Sequence, residues 1–338
     1  MPAVLFAGAD AIQADVEAIL PDERGAYKKL SLDDKLRHYQ QIAVERCAAN
    51  AGCIWSALIP HVTDFISFGA SIYEPHHLMD GAKRAALLAL TGIELHTVDL
   101  GGASVPAALE LARKLCAHEE RLVLIAGSEV PRGGPASIAY YREVSDTLLD
   151  PVTEKHSEAN LIALYALLAD RLMTETGIGA DDAQAITEHY RTQAQQNTRA
   201  ATYGKNLKAG ELTKTLAGIY ATAMVAVATD HGIAFLVAND RLLAKLEQPG
   251  IVRAAQVKLY INAVGTNSAH KYICRRPDFS SPAALAAKRA FAQTELSAHD
   301  IDYAWIYDCF TLMLVRQAAD YFGIDAQAAA NSLKNGMI

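Results

Sequence analysis

The sequence predicts an α/β fold with a mostly parallel sheet. Three observations predict it. Strand-length apolar runs alternate with segments of helical period along much of the chain. RLVLIA (121–126), apolar from Leu122 to Ala126 and ended by Gly127, reads as a buried strand. The chain has 338 residues and is 51% apolar, enough to bury a large core.

The elements follow in order. Residues 31–50 place Leu36, Tyr39, Ile42, Ala43 and Cys47 at helical spacing, with Ser31 as N-cap and Asp33 and Asp34 in the first turn. DFISFGA (64–70) reads as a strand, and 80–91 as a helix capped by Asp80. IELHTV (93–98) is a strand that runs through Asp99–Ala103 into a helix starting at VPAALELARKLCA. After the strand 121–126 comes a Gly/Pro cluster, VPRGGP (130–135). Long helical patterns follow at 157–175, 181–195 and 211–226, with the turn-rich NTRAATYGKN (197–206) between the last two. Strands return at 233–238 and 251–263, then a helix at 283–294, a strand at 301–307 (IDYAWIY) and a helix at 311–322. The expected division is 1–127, a helical region 128–227, and 228–338.

Composition excludes several classes. Charged residues are 20% and aromatics 7%, unlike a disordered or collagenous chain. The 31 Lys+Arg against 38 Asp+Glu give a net charge of -7 without a basic block, against nucleic-acid binding. Five dispersed cysteines with no CxxC pair oppose a disulfide framework or a cysteine zinc site. They fit a reducing, cytoplasmic compartment. The N-terminal apolar run, Ala3 to Ala7, is short, lacks a basic flank and meets Asp10 and Asp15, so no signal peptide or spanning helix is expected. HExxH, EF-hand and P-loop motifs are absent from the sequence, and adjacent His76-His77 read as loop residues, so no metal is expected.

Residues 93–117 and 301–322 echo one another. Each runs strand, turn, helix, and each follows an Ala-rich helix. Any α/β chain can repeat that pattern, so periodicity alone does not establish a duplication. A buried strand follows the first copy. After the second, Gly323–Ile338 holds no convincing strand, so the second half is expected to lack its last strands.

The turns of these units carry a family resemblance. VDLGGASVPAALELA resembles the nucleophile loop and helix of the thiolase superfamily, and LVLIAGSE the strand after it. ATDHGIAFLVAND resembles the segment that opens a thiolase's second half. HDIDYAWIYDCFTLMLVRQAADYFG resembles the sterol-carrier-protein-type thiolases and thiolase-like lipid-transfer proteins. The likeness covers roughly residues 35–335 in order. It implies the thiolase fold: two related βαβαβαββ halves in a five-layer α-β-α-β-α sandwich, an inserted helical loop domain, and usually a dimer. The C-terminal half is expected to be truncated, without the Gly-Gly-His-Pro-type loop, and its uncovered edges would need a partner.

The resemblance also implies a chemistry, from which the chain departs. A cysteine-dependent thiolase places its nucleophile at the helix N-terminus, where the dipole and backbone N–H groups lower the thiol pKa. The matching position here is Gly102, and neither it nor Ala103 can carry an acyl group. Ser104 reads as an N-cap rather than a nucleophile, and no G-x-S-x-G elbow surrounds it. Tyr307 stands where the sterol-carrier type has His. Tyr at that site with Gly at the cysteine site resembles the thiolase-like aldolases of steroid side-chain degradation. In those, tyrosines drive retro-aldol cleavage without a covalent intermediate.

On that resemblance Tyr307 is the acid/base, or else a plain aromatic at the rim. Tyr260 is a second candidate tyrosine, and Asp308 caps the next helix or orients Tyr307. The amides at Gly102, Ala103 and Ser104 serve as an oxyanion hole. Arg199 and Lys205, on the turn-rich loop, are candidates for the CoA phosphates, or solvated loop residues. Cys309 reads as a small buried hydrophobe and His231 as a turn residue. The implied function is a thiolase-like carbon–carbon lyase acting on a β-hydroxyacyl-CoA thioester. No cofactor is bound covalently, and the CoA thioester is the substrate. The implied assembly is a homodimer, or a hetero-complex with a small OB-fold/zinc-ribbon acyl-CoA-binding protein. Two alternatives stay open: an acyl-CoA C-acyltransferase, or a non-catalytic thiolase-like subunit that binds acyl-CoA.

Overall fold

The computed structural model describes residues 2–21, 25–68, 80–131, 149–155, 160–254, 258–267 and 282–337. In chain order the elements are β1 (Ala3–Ile12), α1 (Gln13–Ile19), α2 (Ala26–Lys29), α3 (Leu32–Asn50), α4 (Trp55–Leu58), β2 (Asp64–Phe68), α5 (Asp80–Leu87), β3 (Glu94–Val98), α6 (Ser104–His118) and β4 (Leu122–Glu129). Then come α7 (Leu161–Thr176), α8 (Ala180–Ala194), α9 (Ala209–Thr213), β5 (Thr215–Ala217), β6 (Tyr220–Ala221), β7 (His231–Asn239), α10 (Asp240–Glu247), β8 (Leu259–Tyr260), α11 (Ala283–Phe291), α12 (Thr311–Phe322) and α13 (Ala326–Lys334). Two compact units result, one from 1–140 with 228–264, the other from 141–227 with 265–338.

The first unit is built on one six-stranded sheet, ordered β3-β2-β4-β7-β1-β8. β2 is parallel to β3 and to β4. β4–β7, β7–β1 and β1–β8 are antiparallel. The sheet is therefore mixed, not mostly parallel. The difference comes from β7, which pairs antiparallel with β4, and from β1, an N-terminal strand absent from the expected element list, which pairs antiparallel with β7 and β8.

β4 shows why its sequence is apolar from Leu122 to Ala126. Leu122, Leu124 and Ala126 pack on one face with Tyr39, Ala43 and Cys47 of α3. Val123 and Ile125 pack on the other with Ala108, Ala112 and Cys116 of α6. A strand covered on both faces loses the polar alternation of a half-exposed one. Ser31 caps α3 as expected, its Oγ accepting the Asp34 N–H at 3.1 Å. Asn239 ends β7 and caps α10 by accepting the Leu242 N–H at 2.9 Å, while its Nδ2 donates to the carbonyls of Cys116 and Glu119.

The start of β7 is anchored by a buried polar group. Tyr27 donates to Asp230 Oδ2 at 2.5 Å, and its oxygen lies 2.8 Å from that of Tyr39. The Lys35 ammonium lies 4.6 Å from the Tyr27 ring centroid. Next to this anchor, Gly232 lies so close to α3 that a Cβ there would be 2.5 Å from the Tyr39 carbonyl oxygen.

The second unit is mainly helical. Its core joins Leu168 and Leu172 of α7, Ile186 of α8, Tyr220, and Leu312, Val315, Ala329 and Leu333 of α12 and α13. Asn160 caps α7, accepting the Ala163 N–H at 2.9 Å. Thr187 and Thr311 share a buried hydrogen bond of 3.0 Å between α8 and α12. Two expectations fail here. The predicted helix 211–226 stops at Thr213, and the β5–β6 hairpin follows, turning through Gly218 at φ +52°. The predicted strand 301–307 is extended but joins no ladder among the described residues. Its alternation survives without pairing: Ala304 and Ile306 are half-buried, whereas Tyr303, Trp305 and Tyr307 are exposed.

The structure thus supports an α/β fold with one mixed six-stranded sheet. A second such sheet is not formed among the described residues, where β5–β6 is the other sheet. No single described helix is long and apolar enough to cross a membrane.

The Gly232 contact gives a stability test. Gly232→Ala forces strand and helix backbones apart, and we expect a loss of about 1–3 kcal/mol in urea unfolding. An unchanged midpoint would show that α3 can retreat without cost.

Candidate functional site

In the first unit, β3 leads through Asp99 and Leu100 into a 3-10 turn at Gly101–Ala103, and α6 begins at Ser104. Gly101 takes φ +57°, which lets the chain turn off the C-terminal end of a parallel strand. Gly101, Gly102 and Ala103 are exposed. Ser104 is not the N-cap. It is already helical, at φ -62° and ψ -42°, and its Oγ reaches back to accept the Leu100 N–H at 2.9 Å. It is also only 4% exposed, which removes it as a nucleophile. The Ala103 N–H donates to the Leu100 carbonyl at 3.2 Å, and the Ser104 N–H to the Gly101 carbonyl. Two of the three amides expected to form an oxyanion hole therefore already have acceptors.

Tyr260 also lies in the first unit, on the edge strand β8 opposite Val4. Its hydroxyl donates to Asp240 Oδ1 at 3.3 Å. His231 begins β7 instead of sitting in a turn, with Nδ1 2.9 Å from the Thr229 carbonyl oxygen. His76 and His77 lie outside the described residues.

Asp64, Glu94 and His96 come close enough together for a metal set. They lie at the N-terminal edge of β2 and β3, opposite the strand ends where open α/β sheets bind ligands. The cluster already holds a cation. Arg121 Nη1 is 3.1 Å from Asp64 Oδ1 and 2.9 Å from Glu94 Oε1. His96 Nε2 and the Thr63 hydroxyl complete the shell of the fully buried Asp64. This is a structural ion network.

The second unit gathers the aromatic chemistry. Tyr307 is 55% exposed, and its carbonyl accepts from Gln317 Nε2 at 2.9 Å. The Cys309 carbonyl accepts the Ala226 N–H at 3.0 Å, and Phe310 bridges to Val225. Phe310 is wedged between Tyr165 and Tyr220, with ring centroids 4.5 Å and 4.9 Å away. Asp308 does not cap α12. The N-cap is Phe310, and no side chain accepts there. Asp308 instead lies within electrostatic reach of Tyr190 and Cys309.

The thiol and phenols of this cluster are held neutral. Burial pushes the Cys309 thiol up to about 12. Burial also raises Tyr220, with Cys309 and Tyr165 adding to it, and raises Tyr190, with Asp308 adding to it. The Tyr220 hydroxyl is buried with no hydrogen-bond partner among the described residues. Sequence reading missed Tyr165, Tyr190 and Tyr220, which sit in a region read as plain helices. The one available signal was their placement on the apolar face of those helical patterns.

On the turn-rich loop, Gln195 organises the backbone, accepting the Gly204 N–H at 2.9 Å and donating to the Thr202 carbonyl at 3.1 Å. The Arg199 N–H donates to Asn197 Oδ1 at 3.0 Å. Lys205 Nζ donates to the Ala201 carbonyl at 2.7 Å and is exposed. A separate cleft of about 330 Å³ is lined by Ala286, Ala290, Phe291, Tyr303, Trp305 and Tyr321, and includes none of the expected site residues.

Residues 265–338 match the family model described as Thiolase C-terminal domain-like. The resemblance to the thiolase superfamily is borne out. The thiolase-like chain matches no curated protein by sequence. Among solved structures it is similar to an Ltp2-ChsH2(DUF35) aldolase, at 16% identity and a TM-score of 0.72, over 99% of this chain and 80% of that one. It is similar to a monomeric SCP2-thiolase-like protein type 1 from Mycobacterium smegmatis, at 15% identity and a TM-score of 0.66, over 96% of this chain and 64% of that one. It is also similar to an acetyl-CoA acetyltransferase from Syntrophomonas wolfei, at 15% identity and a TM-score of 0.60, over 96% of this chain and 84% of that one. At these identities the likeness is one of fold.

The buried acids set a pH dependence. Burial raises the thiols of Cys116 and Cys309 from 9.0 to about 12, so folding favours their neutral forms. Their contribution to stability is complete below pH 9 and is lost as pH rises towards 12. The urea midpoint is therefore expected to fall steadily from pH 9 upwards. A midpoint flat to pH 11 would contradict this.

Proposed function

We propose that this thiolase-like chain is a carbon–carbon lyase that cleaves a β-hydroxyacyl-CoA thioester by a retro-aldol step. Tyr307 carries the assignment. It is a half-exposed phenol just before α12, with its carbonyl held by Gln317. In the reaction the tyrosine oxygen takes the proton of the β-hydroxyl as the Cα–Cβ bond breaks. The bonding electrons pass to the thioester as an enolate, and the β-carbon leaves as a carbonyl. Protonation of the enolate at Cα gives the shortened acyl-CoA, so no oxidant or covalent carrier is needed. Gly102 at the cysteine position supports a route without an acyl-enzyme. So do the thiols of Cys47, Cys116 and Cys309, which burial raises and none of which heads α6.

CoA is the expected handle, with Arg199 and Lys205 as candidates for its phosphates. A hetero-complex with a small OB-fold/zinc-ribbon acyl-CoA-binding protein is part of the proposal. The fold likeness to a protein named as an Ltp2-ChsH2(DUF35) aldolase supports it. A second reading, a non-catalytic subunit that binds acyl-CoA, draws support from the amides of Ala103 and Ser104, which are already bonded to Leu100 and Gly101.

The test is cleavage of a panel of β-hydroxyacyl-CoA thioesters, by the chain alone and with a co-expressed partner. Tyr307→Phe is expected to lower turnover by roughly 100-fold or more while CoA binding persists. Full turnover by the Phe variant would remove Tyr307 as the acid/base. CoA binding without cleavage in any form would favour the non-catalytic subunit.

A further inference from the structure

In the second unit, 301–307 has the form of a strand and no strand beside it among the described residues. It starts in extended geometry at Ile301, with φ -94° and ψ 113°, and its exposure alternates with the two-residue period of a strand. Within 301–306 no main-chain N–H or C=O meets a hydrogen-bond partner among the described residues. One face is anchored, because Ile306 packs on the core that includes α12. The other face is bare: Tyr303 is 84% exposed and Trp305 95%. These two rings also line the cleft of about 330 Å³, together with Ala286, Ala290 and Phe291 of α11 and Tyr321 of α12. Unpaired strand backbone is a template for another strand. An indole left in water forgoes the stabilisation that its burial would bring.

We propose that 301–307 is a docking edge for an extended segment of a partner chain, apolar at alternate positions and basic at its ends, which adds beside it as a strand. Main-chain hydrogen bonds hold such a segment, and pockets take its alternate side chains. Here the backbone of 301–306 supplies the first and the aromatic cleft the second. Charge selects the occupant. Native edges are guarded by proline, bulges or charged side chains. The segment 301–307 has no proline and no basic residue. Its exposed charges are acidic: Asp302 within it, Asp300 before it and Asp308 after it. That guard repels acidic segments and admits basic ones. It also repels a second copy of this chain. Antiparallel pairing about Trp305 sets Asp302 opposite Asp308, and pairing about Ala304 sets Asp300 opposite Asp308. Parallel pairing in register sets each Asp beside itself. The proposal does not depend on thioester cleavage.

The experiment titrates the full chain with three synthetic peptides. The first alternates Val and Thr and is flanked by lysines. The second carries glutamates in place of the lysines. The third is the lysine peptide with alternate backbone amides N-methylated. Anisotropy of the labelled peptides gives affinity, and hydrogen exchange read by mass spectrometry gives the place. We expect the lysine peptide to bind and to slow exchange across 301–306. The glutamate and N-methylated peptides should bind on the order of tenfold more weakly or worse. Asp302→Lys, at an exposed position and with its folding verified by circular dichroism, should reverse the preference between lysine and glutamate. Slow exchange across 301–306 in the chain alone overturns the proposal: independent of concentration, it means a segment of this chain covers the edge, and growing with concentration, it means a second copy does. A lysine peptide that protects nothing there overturns it as well, as does binding indifferent to charge reversal or N-methylation.

Discussion

The covering of one sheet on both faces is the constraint on which the first unit depends. α3 lies on one face and α6 on the other, so β4 and β7 must be apolar at nearly every position. β3 ends at Val98 and α6 begins at Ser104, with the exposed 3-10 turn at Gly101–Ala103 between them. The double covering also makes polarity inside the unit costly. Asp64 and Asp230 are buried carboxylates, and each has its own donors: Arg121, His96 and Thr63 for the first, Tyr27 for the second.

The second unit is organised by a ring, not by a sheet. Phe310 fills the space between Tyr165 and Tyr220 and pins the segment before α12 to Val225–Ala226. Fixing that segment sets the direction of Tyr307 and places a thiol and several phenols around one turn. Burial keeps Cys309, Tyr190 and Tyr220 neutral, so the cluster introduces no charge into the core. The contrast with a cysteine thiolase is physical. At the head of α6 stands Gly102, with no side chain to carry an acyl group, and the available thiols are buried where ionisation is unfavourable.

The candidate site could be named from single positions but not as an arrangement. Gly102 and Tyr307 were picked out by their motifs because each motif is local. Ser104 could not, since its role changed once the preceding turn became 3-10 and swung its hydroxyl back to Leu100. Asp308 failed as a cap for a similar reason: the helix starts one turn-residue later, with Phe310 in the cap position. Tyr220 is the clearest omission. The sequence around it has helical period, yet Gly218 at positive φ lets the chain fold into a hairpin that turns the tyrosine inward.

By itself the sequence determined the elements whose stability is local. Ser31 caps its helix, α12 spans the predicted 311–322, and the segments read as strands at β3, β4 and β7 are strands. Capping, period and run length act within a few residues, so one segment carries the whole signal. Tertiary structure alone decided that β1 enters the sheet between β7 and β8, that three strand pairs are antiparallel, that 301–307 finds no ladder among the described residues, and that Tyr220 meets Phe310. Those outcomes depend on which distant segment supplies the other half of a hydrogen bond or a packed face. A strand's own alternation names its buried side but not its neighbour.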